Sequence, residues 1–292
     1  MDFTLTQEQR MLVRTIRQFV YDELIPLEDD IEATGALAPE TARAIFEKSR
    51  DLGFYAMNIP EQFGGGGLSA VETMLVEEQF GHCKDILIRR AFGNVYEVLL
   101  EGDEHQRERW LLPTVRGERT CSIAITEPQA GSDAAGIATR AMRDGSGPDA
   151  GWILNGGKYF VSDGLFSDFF VVSAVTDPQA RPRHISLFLV DKALPGVRVG
   201  QDQQMMGLAG SSHVELFFDD VRLGPDTLIG GEGNGLRLAL TALGRVRLAQ
   251  VGARAVGKAS RLLGYMADYA NQRVQFGKPI GQYQLVQAML AD

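Results

Sequence analysis

The sequence predicts an α+β protein in which a helical region is followed by a β region and then by a second helical region. Apolar residues recur at helical spacing up to about residue 118, and short runs rich in β-branched and aromatic residues recur from about residue 120. Helical spacing returns beyond Gly235. With 292 residues, of which 45% are hydrophobic, the chain can bury a sizeable core and allows several domains.

The first two helices carry recognisable start and stop signals. Thr6 and Gln9 form a capping-box pattern ahead of an amphipathic helix, which we expect to end at Pro26. A second helix begins near Pro39 and ends at Gly53, whose lack of a Cβ suits a left-handed cap. Both signals place helices at the start of the chain.

Further helices follow a run of four glycines at residues 64–67. No Gly-Lys-Ser/Thr follows this run, so it is interpreted as a flexible connection rather than a phosphate loop. Ser69 begins the next helix, and helical spacing covers residues 86–100 and 104–112, where Pro113 marks an end. The first region is therefore predicted to be all helical.

Six short runs rich in Val, Ile, Phe and Tyr predict the β region. Because no helical pattern lies between them, they are expected to form an antiparallel sandwich or barrel. The Asn155-Gly156-Gly157 triplet predicts a tight hairpin turn. The runs cover residues 121–126, 152–155, 158–162, 169–175, 185–190 and 214–218.

Apolar residues at helical spacing from Leu236 to Leu262 predict a long helix that runs towards Arg273. The three regions together predict domain limits. These limits are residues 1–118 for the N-terminal helical domain, 119–231 for the middle β-domain and 232–292 for the C-terminal helical domain.

Charge and cysteine content exclude several classes of protein. A formal net charge of −9 argues against nucleic acid or an anionic membrane as the main partner. Cys83 and Cys121 are far apart and lack metal-like spacing with a histidine, so neither a disulfide framework nor a metal site is expected. No run can span a bilayer, and we expect a cytoplasmic chain unless a transit peptide has been removed.

Residues 124–136, Ala-Ile-Thr-Glu-Pro-Gln-Ala-Gly-Ser-Asp-Ala-Ala-Gly, predict a ligand-binding turn directly after a strand. Pro128 removes a ladder donor, and Gly131 lets the backbone turn or come close to a flat group. Thr126 and Ser132 add hydroxyls beside backbone N–H groups. Such a turn suits a polar heteroaromatic ring with an anionic tail, whereas an isolated Gly-Ser-Asp would indicate only a surface turn.

This stretch resembles the first signature of the FAD-dependent acyl-CoA dehydrogenase family, and the resemblance extends from Leu5 to Asp292. It implies an N-terminal helical domain, a middle β-domain and a C-terminal four-helix bundle that is incomplete here, so that the chain is C-terminally truncated. It also implies FAD as the cofactor. The implied FAD contacts in this stretch are Ile123, Thr126, Gly131 and Ser132.

Residues 158–164, Lys-Tyr-Phe-Val-Ser-Asp-Gly, resemble the other wall of the family's flavin site. The resemblance implies that Phe160 stacks on the flavin ring and that Ser162 donates a hydrogen bond near N5. An aromatic face shields the ring, and a donor at N5 stabilises the negative charge that develops as hydride arrives. The alternative is that Phe160 is a core residue of an alternating strand.

A third segment, residues 269–280, contains Arg273, Phe276 and Gly277 in an order similar to the family's Arg-x-x-Phe-Gly motif. The resemblance implies that Arg273 and Phe276 contact the FAD of a neighbouring subunit, and therefore a homo-oligomer, with a homotetramer as the family's default. The alternative makes Arg273 a cation at a helix C-terminus, which the helix dipole favours.

The resemblance implies an oxidoreductase of fatty acid metabolism that dehydrogenates an acyl-CoA thioester between its α and β carbons. Electrons would pass to an electron-transferring flavoprotein. Ser132 and Arg247 are the implied substrate contacts. Counting forward from residue 235 gives Arg247 and counting back from residue 269 gives Leu248, with Arg245 as the second candidate.

No catalytic base is assigned. The family's usual glutamate is expected beyond Asp292, and the position immediately before the substrate arginine, used by some members, is Val246. Glu127 belongs to the signature turn and is not interpreted as the base. This chain alone is therefore expected to lack the usual base.

Two alternatives keep the fold and change the function. One is a flavin oxidase or monooxygenase, and the other is a non-catalytic, truncated family member that acts as a binding subunit. A nicotinamide-binding Rossmann unit is not indicated, because Gly-x-Gly-x-x-Gly does not follow a predicted strand. Acyl-chain length is not predicted.

Overall fold

The computed structural model describes residues 4–93, 95–147, 150–180, 182–242 and 247–292. Its elements follow the predicted order of helices, strands and helices, which confirms the α+β architecture. The helices are α1 Gln7–Phe19, α2 Glu28–Thr34, α3 Pro39–Asp51, α4 Ala70–Phe80, α5 Asp85–Ala91, α6 Glu104–Gln106, α7 Leu112–Val115, α8 Gly235–Ala242, α9 Leu248–Gln272 and α10 Gln284–Ala291. The strands are β1 Cys121–Ala124, β2 Arg140–Asp144, β3 Gly151–Ser162, β4 Phe169–Asp177, β5 His184–Asp191, β6 Val197–Asp202, β7 His213–Leu223, β8 Leu228–Ile229, β9 Val274–Gln275 and β10 Lys278–Pro279.

The predicted capping box of α1 is present. Thr6 Oγ1 accepts a hydrogen bond from the Gln9 N–H at 3.2 Å, and Gln9 Oε1 accepts one from the Thr6 N–H at 3.1 Å. The predicted stop at Pro26 is wrong. A π-helical turn, Val20–Leu24, and a 3-10 turn, Ile25–Leu27, continue the helical path into α2. Pro26 is tolerated because it lies in the first positions of a short turn, where the lost N–H has no helical partner.

Two later expectations about helix limits are also corrected. Residues 86–100 do not form one helix, because α5 ends at Ala91 and a 3-10 turn, Glu97–Glu101, follows. Pro113 lies in the first positions of α7 instead of at a helix end. Sequence spacing alone does not separate a broken helical path from a continuous one.

The glycine run at residues 64–67 is not a flexible connection. The N–H groups of Gly66 and Gly67 donate to the carbonyl oxygens of Ala56 and Ile59, at 3.3 and 2.9 Å. An ideal Cβ on Gly65 would lie 2.1 Å from the Ile59 oxygen. The glycines therefore allow two backbone segments to pack directly against each other.

The β region forms one eight-stranded sheet with the order β6-β7-β3-β2-β4-β5-β8, in which β1 pairs with β4. Most pairs are antiparallel, as predicted, but β1–β4 and β2–β4 are parallel. Parallel pairing needs a long connection, and the chain supplies one because other strands lie between the partners in sequence. An exclusively antiparallel sheet was therefore the wrong expectation.

The predicted hairpin at Asn155-Gly156-Gly157 is wrong, because β3 runs through all three residues as one strand. Asn155 pairs with Arg140 of β2, and Gly156 pairs with Phe218 of β7 after a register shift. An ideal Cβ on Gly156, at φ +139°, would lie 2.7 Å from Thr139. The glycine therefore serves a strand irregularity and a close backbone approach.

The predicted long helix from Leu236 corresponds to α8 and α9, on either side of residues 243–246, which lie outside the described residues. α8 packs on β5, and α9 packs along α4. The Arg254 guanidinium pairs with the Glu77 carboxylate at 2.9 Å across the α4–α9 contact. The second helical region is thereby fixed on the first, and the domain limits at residues 118/119 and 231/232 stay predictions.

Buried residues form successive cores from the helices into the sheet. One core lies within α1 to α5, a second joins the segment from Val95 to Val115 to β1, β4 and β5, and a third fills the sheet around Trp152 and Phe188. Cys83 and Cys121 are buried and are not joined by a disulfide. Within the part of the chain that the structure describes, no helix is long and apolar enough to cross a membrane.

Candidate functional site

Glu127 organises the turn that follows β1. Its buried carboxylate accepts hydrogen bonds from the N–H groups of Ala138 and Thr139, at 2.7 and 3.1 Å. It also accepts one from the Gln129 side chain at 2.6 Å and one from Lys158 Nζ at 2.8 Å. The carboxylate therefore closes the predicted ligand-binding stretch into a fixed loop.

Lys158 connects this loop to the sheet. Its fully buried ammonium group donates to the Ile125 carbonyl oxygen at 3.1 Å and to Ser173 Oγ at 3.0 Å, in addition to Glu127. All three hydrogens of the ammonium group thus have partners. The sequence places Lys158 in the second predicted segment but gives no sign of this structural role.

The Glu127 carboxylate stays charged over a wide pH range. Burial alone would raise the pKa of Glu127, but hydrogen bonds from Lys158, Thr139 and Ala138 prevail and lower it to about 2. Burial lowers the pKa of Lys158 to about 8, with Glu127 acting in the opposite direction. A carboxylate this acidic and this fully bonded is a structural anion, consistent with the interpretation that it is not the base.

The two predicted flavin-binding segments lie side by side. The Tyr159 N–H donates to the Thr126 carbonyl oxygen at 2.8 Å. Ser122 Oγ donates to the Ser162 carbonyl oxygen at 2.5 Å and lies 2.6 Å from Ser167 Oγ. These bonds join β1 and the turn that follows it to the end of β3, although the two stretches are more than 30 residues apart in sequence.

Phe160 belongs to the second of these segments and lies on the surface. Its side chain is 45% exposed, so the alternative that it is a core residue is wrong. Its backbone is in the left-handed region at φ +55°, which is strained for a residue with a bulky side chain. Tyr159 packs edge-on against the ring at 4.3 Å between centroids. An aromatic face is thereby left uncovered beside the turn, where a flat ligand could stack.

Gly131 and Ser132 are exposed on the same turn. An ideal Cβ on Gly131 would meet no atom within 4 Å, so packing within the described chain does not explain the glycine. A bound group that approaches the backbone would explain it. The exposed backbone, the Ser132 hydroxyl and the uncovered Phe160 ring together fit a ligand with a flat ring and an anionic tail.

A small cavity of about 30 Å³ brings together Ile123 of β1 and Arg247, which immediately precedes α9. Asn58 and Glu97 also line it. The structure thus places a predicted cofactor contact and the predicted substrate arginine around one space. Arg245 and Val246, the other positions considered for substrate and base, lie outside the described residues.

Glu97 is the one carboxylate among the described residues that line this cavity, and sequence reasoning missed it. Burial raises its pKa, although the Asn58 side-chain amide donates to it at 2.5 Å. The signal in the sequence is an acidic residue within the apolar run Val95-Tyr96-Glu97-Val98-Leu99. An acid in such a run is seldom buried without a specific partner.

Arg273 and Phe276 lie at the far end of α9. Arg273 caps the helix through its N–H, which donates to the Tyr269 carbonyl oxygen at 2.8 Å. Phe276 is 94% exposed at φ +52° in the turn between β9 and β10. Among the contacts of the described residues, none joins either side chain to the turn after β1, so their predicted role needs a second chain.

Three sequence profiles of one family match the chain end to end. The acyl-CoA dehydrogenase N-terminal domain matches residues 6–118, the middle domain matches 122–221 and the C-terminal domain matches 233–292.

Individual relatives extend over the same length. The chain is 34% identical to the acryloyl-CoA reductase (NADH) of Anaerotignum propionicum, and the match covers 100% of this chain and 73% of the relative. It is 33% identical to an acyl-CoA dehydrogenase of Bacillus subtilis, with 99% and 75% covered. The chain therefore spans about three quarters of the length of these relatives.

Solved structures have the same fold. The butyryl-CoA dehydrogenase of Megasphaera elsdenii superposes with a TM-score of 0.87 at 31% identity, over 100% of this chain and 76% of that chain. The acyl-CoA dehydrogenase of Bacillus anthracis, complexed with FAD, superposes with a TM-score of 0.85 at 30% identity, over 98% of this chain and 48% of that chain.

Proposed function

Because the chain belongs to the acyl-CoA dehydrogenase family, we propose that it carries out FAD-dependent dehydrogenation of an acyl-CoA thioester between its α and β carbons. One observation carries the proposal. The Tyr159–Thr126 and Ser122–Ser162 hydrogen bonds hold two separate segments together as one open surface, with the Phe160 ring exposed beside them. This surface fits the cofactor of the family, which is FAD.

Different residues of this surface are proposed to bind different parts of FAD. Phe160 covers a face of the ring system, and Ser162 and Thr126 supply hydrogen-bonding groups at its polar edge, beside Ile123. Gly131 and Ser132 leave backbone N–H groups and a hydroxyl open for the phosphates. When bound, FAD supplies the acceptor for the hydride that leaves the substrate's β carbon.

The substrate end of the proposal rests on the cavity between Ile123 and Arg247. The Arg247 guanidinium supplies the cation that supports the acyl-CoA. Ser132, which lies outside this cavity on the turn after β1, is proposed as a second substrate contact. The cavity carries the partly buried Glu97 carboxylate, whose burial beside a long alkyl chain would be unfavourable, so we expect a short acyl group. The butyryl-CoA dehydrogenase with the same fold acts on a short acyl group, by its name.

The partners of the reaction follow from the family and from one exposed surface. Electrons are proposed to pass to an electron-transferring flavoprotein.

The side chains of Leu262, Met266 and Tyr269 are exposed on α9 and leave an apolar surface next to Arg273. This surface supports a homo-oligomer, and a homotetramer is its predicted size. Sedimentation velocity on the 292-residue chain tests this size. A cytoplasmic location also stays a prediction.

Titration of the purified chain with FAD tests the flavin surface. Phe160→Ala is expected to weaken FAD binding about two- to tenfold, because aromatic stacking contributes about 0.5–1.5 kcal/mol. Leu165→Ala, at a similarly exposed residue of the following loop, is the matched control and leaves the affinity unchanged. A chain that binds no FAD, or a Phe160→Ala variant with unchanged affinity, would contradict the proposed site.

Oxygen reactivity separates the proposed function from its same-fold alternative. A flavin oxidase or monooxygenase would use the same surface, and its reduced flavin would react rapidly with oxygen. A dehydrogenase protects the reduced flavin and passes electrons to a protein acceptor. Stopped-flow mixing of the photoreduced, FAD-loaded chain with aerated buffer measures the difference, and slow reoxidation is the expected result.

A further inference from the structure

A second and larger cavity lies between α3, α5 and the loop that follows β3. Its volume is about 410 Å³, within the range of small-molecule sites. It shares no described lining residue with the cavity of Ile123 and Arg247. The proposed FAD and acyl-CoA contacts do not line it, so the function proposed above leaves it unexplained.

Aromatic rings form much of its wall. Phe46 of α3 and Tyr55 pack edge-on, with 4.9 Å between ring centroids and 87° between their planes. Phe166 stands opposite, on the loop after β3, and is half exposed. Gly117 leaves room for the Phe46 ring, because an ideal Cβ there would lie 2.1 Å from it. A wall of this kind suits an apolar body of several carbon atoms.

Cations dominate the charged residues that line the cavity. Arg43, Arg89 and Arg90 face it, and Asp163 is the one acidic residue among the described lining residues. Asp163 is committed mainly to Arg89, since that pair is 3.1 Å apart and both side chains are buried. Arg43 is paired with Glu47 at 2.8 Å, and Arg89 also lies 3.5 Å from Asp85, so among the described lining residues Arg90 is the cation whose charge is least neutralised.

Arg90 is the cation best placed to receive a ligand. Its guanidinium lies 4.0 Å from the Asp163 carboxylate, beyond hydrogen-bond distance, and 5.0 Å from the centre of the Phe166 ring. The cation–π contact with the Phe166 ring holds the Arg90 side chain in place without using its N–H hydrogen-bond donors. A planar guanidinium held in this way can bind a carboxylate through two parallel hydrogen bonds.

We propose that this cavity binds a small amphipathic carboxylate. The aryl or alkyl part of the ligand packs on Phe46, Tyr55 and Phe166, and its carboxylate pairs with Arg90. Asp163, which lines the cavity, immediately follows Ser162 of the flavin surface in the chain. The cavity is therefore a neighbour of the flavin surface, although none of the proposed FAD contacts lines it. The binding does not depend on the dehydrogenase function.

Isothermal titration calorimetry of the 292-residue chain with sodium 4-phenylbutanoate tests the proposal. The acid is expected to bind with one site per chain, and the uncharged 4-phenylbutanamide at least tenfold more weakly, because it lacks the charge that pairs with Arg90. Arg90→Gln is expected to bring the affinity for the acid down to that for the amide. Arg116→Gln removes an exposed arginine that pairs with Glu118 and leaves binding unchanged.

A second pair of variants tests the location without touching a charge. Ala42→Phe places a ring in the cavity and is expected to abolish binding, whereas Ala44→Phe, on the exposed part of the same helix, leaves it unchanged. Circular dichroism confirms that each variant is folded. Equal affinity for acid and amide, absence of binding by the parent chain, or unchanged binding by Ala42→Phe would each overturn the proposal.

Discussion

Glu127 lies in the predicted ligand-binding turn, but its side chain stabilises the turn itself through hydrogen bonds to other groups of the protein. Its carboxylate is bonded to Ala138, Thr139, Gln129 and Lys158, and it is buried. A buried ion pair of this kind holds its geometry because each charge depends on the other. We infer that Glu127 and Lys158 position the backbone that Thr126 and Tyr159 present.

Glu127→Gln is therefore expected to destabilise the protein. The substitution leaves the buried Lys158 ammonium without its anion, and removing one partner of a buried pair costs roughly 3–5 kcal/mol. Urea unfolding followed by tryptophan fluorescence measures the change. The control is Glu118→Gln at an exposed pair with Arg116, where water screens the charges and a much smaller change in stability is expected. Equal effects of the two substitutions would contradict the role given to Glu127.

The same pair predicts a pH dependence. The pKa of Glu127 is lowered from 4.5 to about 2 on folding, so its contribution is complete above about pH 4.5 and is lost as the pH falls through about 2. The stability difference between the parent chain and Glu127→Gln is thus expected to shrink as the pH falls from about 4.5 to about 2, because the Glu127 carboxylate then becomes protonated in the folded chain as well. Unfolding measured from pH 7 to pH 2 tests this, and a constant difference throughout would refute the assignment.

The roles of single residues were predicted from sequence where the residue belongs to a motif. They were missed where the role depends on a tertiary contact. Thr126, Phe160 and Ser162 were predicted as cofactor contacts because their segments resemble a known signature, and the structure brings these segments together, while the contacts themselves stay predictions. Lys158 and Glu97 gave no such signal. Lys158 reaches Glu127 across 31 residues of chain, so local pattern does not reveal its role. Glu97 is marked only as an acid within an apolar run, and the cavity it lines includes residues of α9 that are distant in sequence.

At the scale of elements, two glycines decide how α9 meets α4. An ideal Cβ on Gly257 would lie 2.0 Å from the Glu78 carbonyl oxygen and 3.0 Å from the Gly81 Cα. The two helix backbones therefore touch at this point, and the Arg254–Glu77 pair lies beside the contact. The second helical region depends on this contact for its position.

Gly257→Ala is expected to lower the melting temperature, since overpacking of a close contact costs about 1–3 kcal/mol or more. Gly252→Ala in the same helix is the control, because an ideal Cβ there meets nothing within 4 Å. It is expected to raise stability by about 0.4–1 kcal/mol, because alanine has less conformational freedom in the unfolded chain. Differential scanning calorimetry measures both, and equal effects would show that α9 does not pack on α4 as described.

Element limits follow the strength of the local signal. The capping box before α1 and the Ser69 start signal before α4 located both helix starts correctly, because both depend on local hydrogen bonds. β2 was missed, because Arg140–Asp144 is polar and only Ala141 is buried. The Asn-Gly-Gly triplet was taken for a hairpin, because the close approach of Thr139 that explains it is not visible in sequence.

At the scale of the whole molecule, the order of helical, β and helical regions was predictable from the change in hydrophobic period. Strand pairing was not. β1 and β2 pair in parallel with β4, and the choice depends on how the whole sheet assembles around the second and third cores. FAD and acyl-CoA could be inferred only from the resemblance, since periodicity alone does not identify a ligand.

Anaerobic addition of butyryl-CoA to the FAD-loaded chain, with the visible flavin absorbance as the readout, tests the central claim most directly. We expect a saturable change in the flavin band, because Ile123 and Arg247 line one space beside the proposed FAD surface. Loss of the band would show in addition that a base lies within these 292 residues, and a shift without loss would place it elsewhere. A bound flavin whose spectrum does not change at saturating butyryl-CoA would contradict the account.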